Sequence, residues 1–187
     1  MRAEATHGLP DWAAVSPERR SHIGRVAALA ERWALRMRVP AQERGRWLRA
    51  VWLHDALRDA PTETLERWAP DAAGPHELRH GAASAARAEA EGEADRGVLD
   101  AVRYHSVGHP AWDMVGRVLY CADYLEPGRT FKREWRAGLA DRFPDETAAV
   151  LRTVAADRLL HLVSSGWPIP EPTVHFWNSV GEPSGSR

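Results

Sequence analysis

Apolar positions recur along most of the chain at the three-to-four-residue interval of a helix, and the interruptions fall where helices start and stop. Ser16-Pro17-Glu18 predicts a helix start: serine caps, proline takes the first helical position, and a carboxylate sits in the first turn. Ile23, Val26, Ala27, Ala30, Trp33, Ala34 and Met37 then share one stripe until Pro40 ends it. A second helix is predicted over about 41–58, with Trp47, Leu48, Val51 and Trp52 inward, and a short one between Pro61 and Pro70. Further helices are predicted from Pro75 to Gly92, from Asp95 to His105 ahead of Gly108 and Pro110, and from Asp113 to Leu125 ahead of Pro127-Gly128. A short piece over 132–141, a long helix from Pro144 to Ser165 and a last turn near Thr173–Val180 complete the series. No stretch alternates apolar and polar residues, so no strand is predicted. The expected fold is all-α, one compact helical domain over 1–187 with its core at about 16–180, and the last residues read as a frayed end.

Composition narrows the classes. Hydrophobic residues make up 44% of the 187 and charged ones 27%, which suits a globular protein with a real core. Lys and Arg together number 25 against 26 acids, so charge predicts neither a nucleic-acid nor a membrane partner. All but Lys132 of those cations are arginine, the better bidentate phosphate ligand, although an arginine- and alanine-rich chain also reflects coding bias. The N-terminal residues do not read as a signal peptide and no apolar run reaches membrane-span length, so a cytoplasmic protein is expected. Cys121, the single cysteine, excludes an intrachain disulfide and reads as a small buried hydrophobe.

The chemistry sits where titratable residues interrupt apolar helices. His22 lies in the first helix stripe, His54-Asp55 closes the run Ala50-Val51-Trp52-Leu53, and Asp123 lies within Val118-Leu119-Tyr120-Cys121-Ala122 and Tyr124. A His-Asp pair alone is weak, since composition gives about 0.5 by chance. Its setting carries more: imidazoles and carboxylates are costly to bury unless paired or bound to a metal, and this donor mixture suits a divalent ion. Arg19, three residues before His22, and Arg58, three after Asp55, have spacing to reach an anion there, as does Arg129 past the Pro-Gly turn.

The order His22, His54-Asp55, His80, His105, Asp123 resembles the HD-domain superfamily, and finer detail resembles its YqeK-type branch of symmetrical diadenosine tetraphosphate hydrolases. The matching stretches are Arg19-Arg20-Ser21-His22, Trp52 to Arg58, His80-Gly81-Ala82, Tyr104 to Gly108, and Tyr120 to Arg129, the most specific piece. The tail Ile169 to Val174, with Asn178, is also similar. This chain has Arg58 where the family usually has lysine and Ser106 where it has threonine, and the first change alters phosphate geometry. The resemblance implies a metal held by His22, His54, Asp55 and Asp123, iron in the family, as one ion or two. It implies that His80 and His105 face the substrate phosphates or help hold a second ion. With Asp55 they form the catalytic group, and one of the two histidines acts as general acid. Arg19, Arg58, Ser106, Tyr124 and Arg129 are implied to line the site of a small-molecule nucleotide, cleaved into two ADP.

Other readings compete. Another nucleotide phosphohydrolase of the same superfamily (a nucleotidase, a deoxynucleoside triphosphate or a guanosine alarmone hydrolase), a non-catalytic nucleotide and metal sensor, and a di-iron oxygenase all use such a set. His76-Glu77-Leu78-Arg79-His80 is a literal H-E-x-x-H, the spacing of a zinc protease, although Pro75 places His76 in the first helical turn. His7, His109, His161 and His175 read as bystanders. Trp112 is a candidate for stacking on a base, and Trp12 and Trp177, if exposed, for a homodimer interface.

Overall fold

The computed structural model describes residues 8–72 and 76–181, without the side chains of His76 and Glu77. These residues form helices and no strand: α1 (Pro17–Arg36), α2 (Ala41–His54), α3 (Thr62–Trp68), α4 (His76–Ala90), α5 (Arg96–Tyr104), α6 (Met114–Leu125), α7 (Arg133–Arg142), α8 (Thr147–Ser164) and α9 (Glu171–Gly181). His7, Pro75 and residues 182–187 lie outside the described part. No described helix is long and apolar enough to cross a membrane.

The helix starts follow from their caps. Ser16 accepts from Arg19 N with proline at N1, Asp95 accepts from Val98 N, and Asp113 from Val115 N. Arg46 on α2 ties two of these caps together, reaching Asp95 at 2.6 Å and Asp113 at 2.8 Å. Helices α1, α2, α5 and α6 pack against one another in turn, α4 lies along α2 and α5, α3 covers α4, and α7 and α8 flank α6. Their shared interior includes Ile23, Val26, Val51, Leu99, Val118 and Leu119, each essentially inaccessible. Fully burying one large apolar side chain contributes roughly 1.5–3 kcal/mol. Trp33 stacks on Phe143 at 4.0 Å and donates to Ala140 O at 2.8 Å, which fastens the end of α7 to α1.

The structure moves some predicted boundaries. Helix α2 stops at His54 instead of continuing to 58; hydrogen-bonded turns carry Asp55 to Ala60, where Ser84 Oγ accepts from Leu57 N. Helix α8 starts at Thr147 and not at Pro144, because buried Phe143 closes α7 and its carbonyl accepts from Thr147 Oγ1. Trp12 and Trp177 are partly buried against the core and do not form the exposed patch an interface needs. Trp112 is buried and donates to Asp100 O, so it offers no face to a base.

Candidate active site

The six predicted residues meet in one buried cluster where α1, α2, α4, α5 and α6 converge. His22, His54, Asp55, His80, His105 and Asp123 are all buried. The end of α2 resolves how two adjacent residues serve one centre. His54 is its last helical residue, and Asp55, at φ −109° and ψ 14°, leaves the helix and turns its carboxylate to the other side.

That carboxylate divides the cluster. Asp55 Oδ2 lies 3.6 Å from His54 Nε2 and 3.8 Å from His22 Nε2. Asp55 Oδ1 lies 3.0 Å from His80 Nε2 and 3.5 Å from His105 Nε2. On the first side, His22 Nε2 is 3.1 Å from Asp123 Oδ1. Two groups of ligand-type atoms result, His22–His54–Asp123 and Asp55–His80–His105, each within 4.8 Å of one another and each able to hold a metal ion.

The local sequence fixes which nitrogen each ring presents. His54 Nδ1 donates to Val51 O at 2.6 Å and His105 Nδ1 to Val102 O at 2.8 Å, both using the carbonyl three residues back at a helix end. His22 Nδ1 donates to Glu126 Oε1 at 3.1 Å. In its neutral form each of the three turns an Nε2 lone pair to the centre, the arrangement that metal-ligating histidines use, and at His22 a bound cation would take the place of the second proton. His80 is different: Arg58 Nη1 donates to its Nδ1 at 3.0 Å, so a neutral His80 carries its proton on Nε2. That Nε2 is 3.1 Å from His105 Nε2, which Ser106 Oγ also approaches at 3.1 Å. Gly81 permits this closeness, since a Cβ there would meet Val102 O at 2.9 Å and His105 Nδ1 at 3.1 Å.

The donor set fits a divalent ion. The Nε2 atom of His54 is buried without a hydrogen-bond partner among the described residues, which would be costly unless the site takes a cation. Burial pulls the His54 imidazole down to about 4, keeping it neutral as a ligand must be. Burial opposes protonation of His22 too, but Asp123 and Glu126 outweigh it and raise that ring to about 9. The Asp55 and Asp123 carboxyls lie well below the usual range: burial opposes this, and the neighbouring imidazoles prevail at both, joined at Asp123 by Arg158 and Arg129.

Guanidinium groups hold the outer faces of these carboxylates. Arg19 reaches Asp55 Oδ2 at 2.8 Å, Arg129 reaches Asp123 Oδ1 at 2.9 Å, and Arg158 reaches Asp123 Oδ2 at 2.8 Å. Arg25 donates to Glu126 Oε2 at 2.6 Å, so an Arg25–Glu126–His22 chain braces the first group. Arg25, Glu126 and Arg158 escape sequence reasoning: Glu126 lies inside the most specific stretch, but nothing in the pattern distinguishes Arg25 or Arg158 from other helix arginines. Beyond Asp123 opens a cavity of about 690 Å³, whose lining includes Ser106, Tyr124, Arg129, Arg136, Asp157 and Arg158. The tail supports its floor, with Thr173 Oγ1 donating to Val107 O at 2.9 Å and Phe176 packed on Gly108, whose φ of +88° and lack of Cβ admit the ring. His161 also lines the cavity, whereas His109 stacks on Tyr104 at 4.6 Å. Of the H-E-x-x-H motif, the side chains of His76 and Glu77 lie outside the described residues, and His80 is engaged in the cluster.

Comparisons with known proteins agree with this centre. A stretch of 40 residues is 48% identical to a symmetrical bis(5'-nucleosyl)-tetraphosphatase of Bacillus subtilis, covering 21% of this chain and 22% of that protein. A stretch of 43 residues is 40% identical to the protein of the same name from Halalkalibacterium halodurans, covering 23% of each. The matched part thus spans less than a quarter of those relatives. A Clostridium acetobutylicum structure, described as a predicted HD superfamily hydrolase involved in NAD metabolism, shares the fold with a TM-score of 0.74 over 89% of this chain and 90% of that one, at 23% identity. The family model for the HD domain matches residues 19–128, more than half of the chain and all six cluster residues, and the protein belongs to that family.

Proposed function

We propose that the protein is a metal-dependent phosphohydrolase that splits diadenosine tetraphosphate symmetrically into two ADP, acting in the cytoplasm as one domain. The observation that carries the reading is Asp55, whose two oxygens face two separate ligand groups across one carboxylate. In this reading His22, His54, Asp55 and Asp123 hold one ion, iron by the family resemblance, and Asp55, His80 and His105 hold a second. Bound divalent ions would supply water of lowered pKa and a sink for phosphoryl charge. Arg19, Arg58 and Arg129 orient the polyphosphate and offset charge that builds on its oxygens. Ser106 and Tyr124 face the nucleotide, and the apolar helices behind the cluster exclude bulk water. The names of the matched relatives support the choice of substrate.

The Arg58 contact favours a one-ion variant of the same reaction. With Nδ1 occupied, His80 holds a proton at Nε2 and can give it to the departing phosphate.

Purified protein incubated with diadenosine tetraphosphate and iron, manganese, cobalt or zinc in turn, with products resolved by chromatography, tests the proposal. Two ADP per substrate are expected, lost in His54→Ala and Asp123→Ala and kept in His76→Ala. AMP plus ATP would move the attack to a different phosphorus. Binding without turnover under every metal would replace the enzyme with a nucleotide sensor.

A further inference from the structure

The cavity changes character from floor to mouth. Its floor is polar and adjoins the ligand cluster: Arg129 and Arg158 hold Asp123, and Ser106 Oγ is 3.1 Å from His105 Nε2. Its outer lining includes Phe131 and Leu160, which are 63% and 60% exposed. Large apolar side chains so exposed, contiguous with a cationic floor, form the two-ended surface that a nucleotide matches, phosphates inward and base outward.

The backbone presents Phe131 deliberately. Lys132, its neighbour, has φ +49°, a left-handed conformation that non-glycine side chains rarely adopt, and it caps α7 without a side-chain hydrogen bond. Lys132 Nζ is held by Asp157 at 2.5 Å and lies 5.2 Å from the Phe131 ring centroid. The lysine thus stays with Asp157 at the cavity wall while the ring stays at the lip. Trp112, the sequence candidate for stacking, is buried elsewhere, and the exposed His161 imidazole in the lining is set edge-to-face against Trp167 at 5.7 Å, which leaves Phe131 as the exposed phenyl ring of the described lining.

We infer that Phe131, with Leu160 beside the same opening, is the platform on which the base of the bound nucleotide stacks while its phosphates reach the cluster. This rests on the nucleotide reading above and adds the residue that tells a nucleotide from a bare polyphosphate. Stacking reads a π-face, so it selects for a base more than for which base.

The test compares ADP with inorganic diphosphate by calorimetry on the full chain, with manganese(II) present throughout. ADP is expected to bind more tightly. Phe131→Ala should lower ADP affinity roughly 5- to 10-fold, the lower end of base–aromatic stacking for a half-exposed ring, and leave diphosphate affinity unchanged. Phe131→Trp should restore the preference. The ring's exposure makes a folding defect no obstacle, and thermal melting checks this. The inference is overturned if the unsubstituted chain shows no preference for ADP, if Phe131→Ala weakens both ligands equally, or if it changes only the oligomeric state. A chain that leaves diadenosine tetraphosphate intact yet prefers ADP through Phe131 would sink the substrate proposal and keep this one.

Discussion

The ligand cluster and the cavity beside it are built on opposite terms. The cluster lies within residues 19–128, the part the HD family model matches, and every member is buried and held by a backbone carbonyl, a carboxylate or a guanidinium. The cavity takes much of its wall from α8 and the segment before α7, beyond that match, and carries Phe131 and Leu160 exposed in its lining. Burial fixes chemistry, because a desolvated imidazole or carboxylate tolerates few geometries. Exposure leaves selection adjustable, because a lip residue can change without disturbing the core. A family-wide reaction and a chain-specific substrate are then separable in one fold.

The sharpest break of this comparison is at Asp55. Asp55→Ala removes the carboxylate shared by both ligand groups and should lower kcat/KM by roughly 10³-fold or more, with KM little changed; steady-state kinetics on folded protein checks it. A smaller effect should come from the cavity side. Arg129 is 40% exposed and contacts Asp123 Oδ1. Arg129→Ala should raise KM about 10-fold and leave kcat within a few-fold, as loss of one charge-assisted phosphate contact does; equal losses in kcat would merge the two regions.

The smallest effect belongs to the frame behind both. Asp95 caps α5 and binds Arg46, and the Arg46 hydrogen bond holds its carboxyl below the ordinary 3.8. A depressed carboxyl contributes stability that is present above its unfolded pKa and lost as pH falls through the folded one. Asp95→Asn keeps the cap and loses the ion pair, so it should cost up to about 1 kcal/mol at pH 7, and the cost should vanish as pH falls through the depressed pKa of the folded Asp95. Asp95→Ala loses both and should cost about 1 kcal/mol more. Denaturant titration across pH reads both, with metal content and KM unchanged.

The sequence made one half of this comparison legible. Titratable residues inside apolar stripes announced His22, His54, Asp55 and Asp123, and helical periodicity with the Ser16 cap and the Pro and Gly breaks announced most elements. It failed where a tertiary partner decides. The end of α2 at His54 depends on Ser84 reaching Leu57 N, which no local pattern encodes. Arg25 and Arg158 read as solvated arginines until Glu126 and Asp123 are seen beside them. Trp112 and Phe131 exchange roles for the same reason: exposure of a ring is a property of the packed chain.

The central claim is that the buried cluster is a metal centre, and metal equivalents per folded chain test it most directly. Protein loaded with iron or manganese(II) and freed of excess should retain two equivalents, or one if His80 keeps its proton. His54→Ala should lose retained metal while its far-ultraviolet dichroism is unchanged, and Glu126→Ala should weaken binding roughly 10- to 100-fold by releasing His22 Nδ1. Metal retained equally by His54→Ala, or none retained by the unsubstituted chain, would contradict the account.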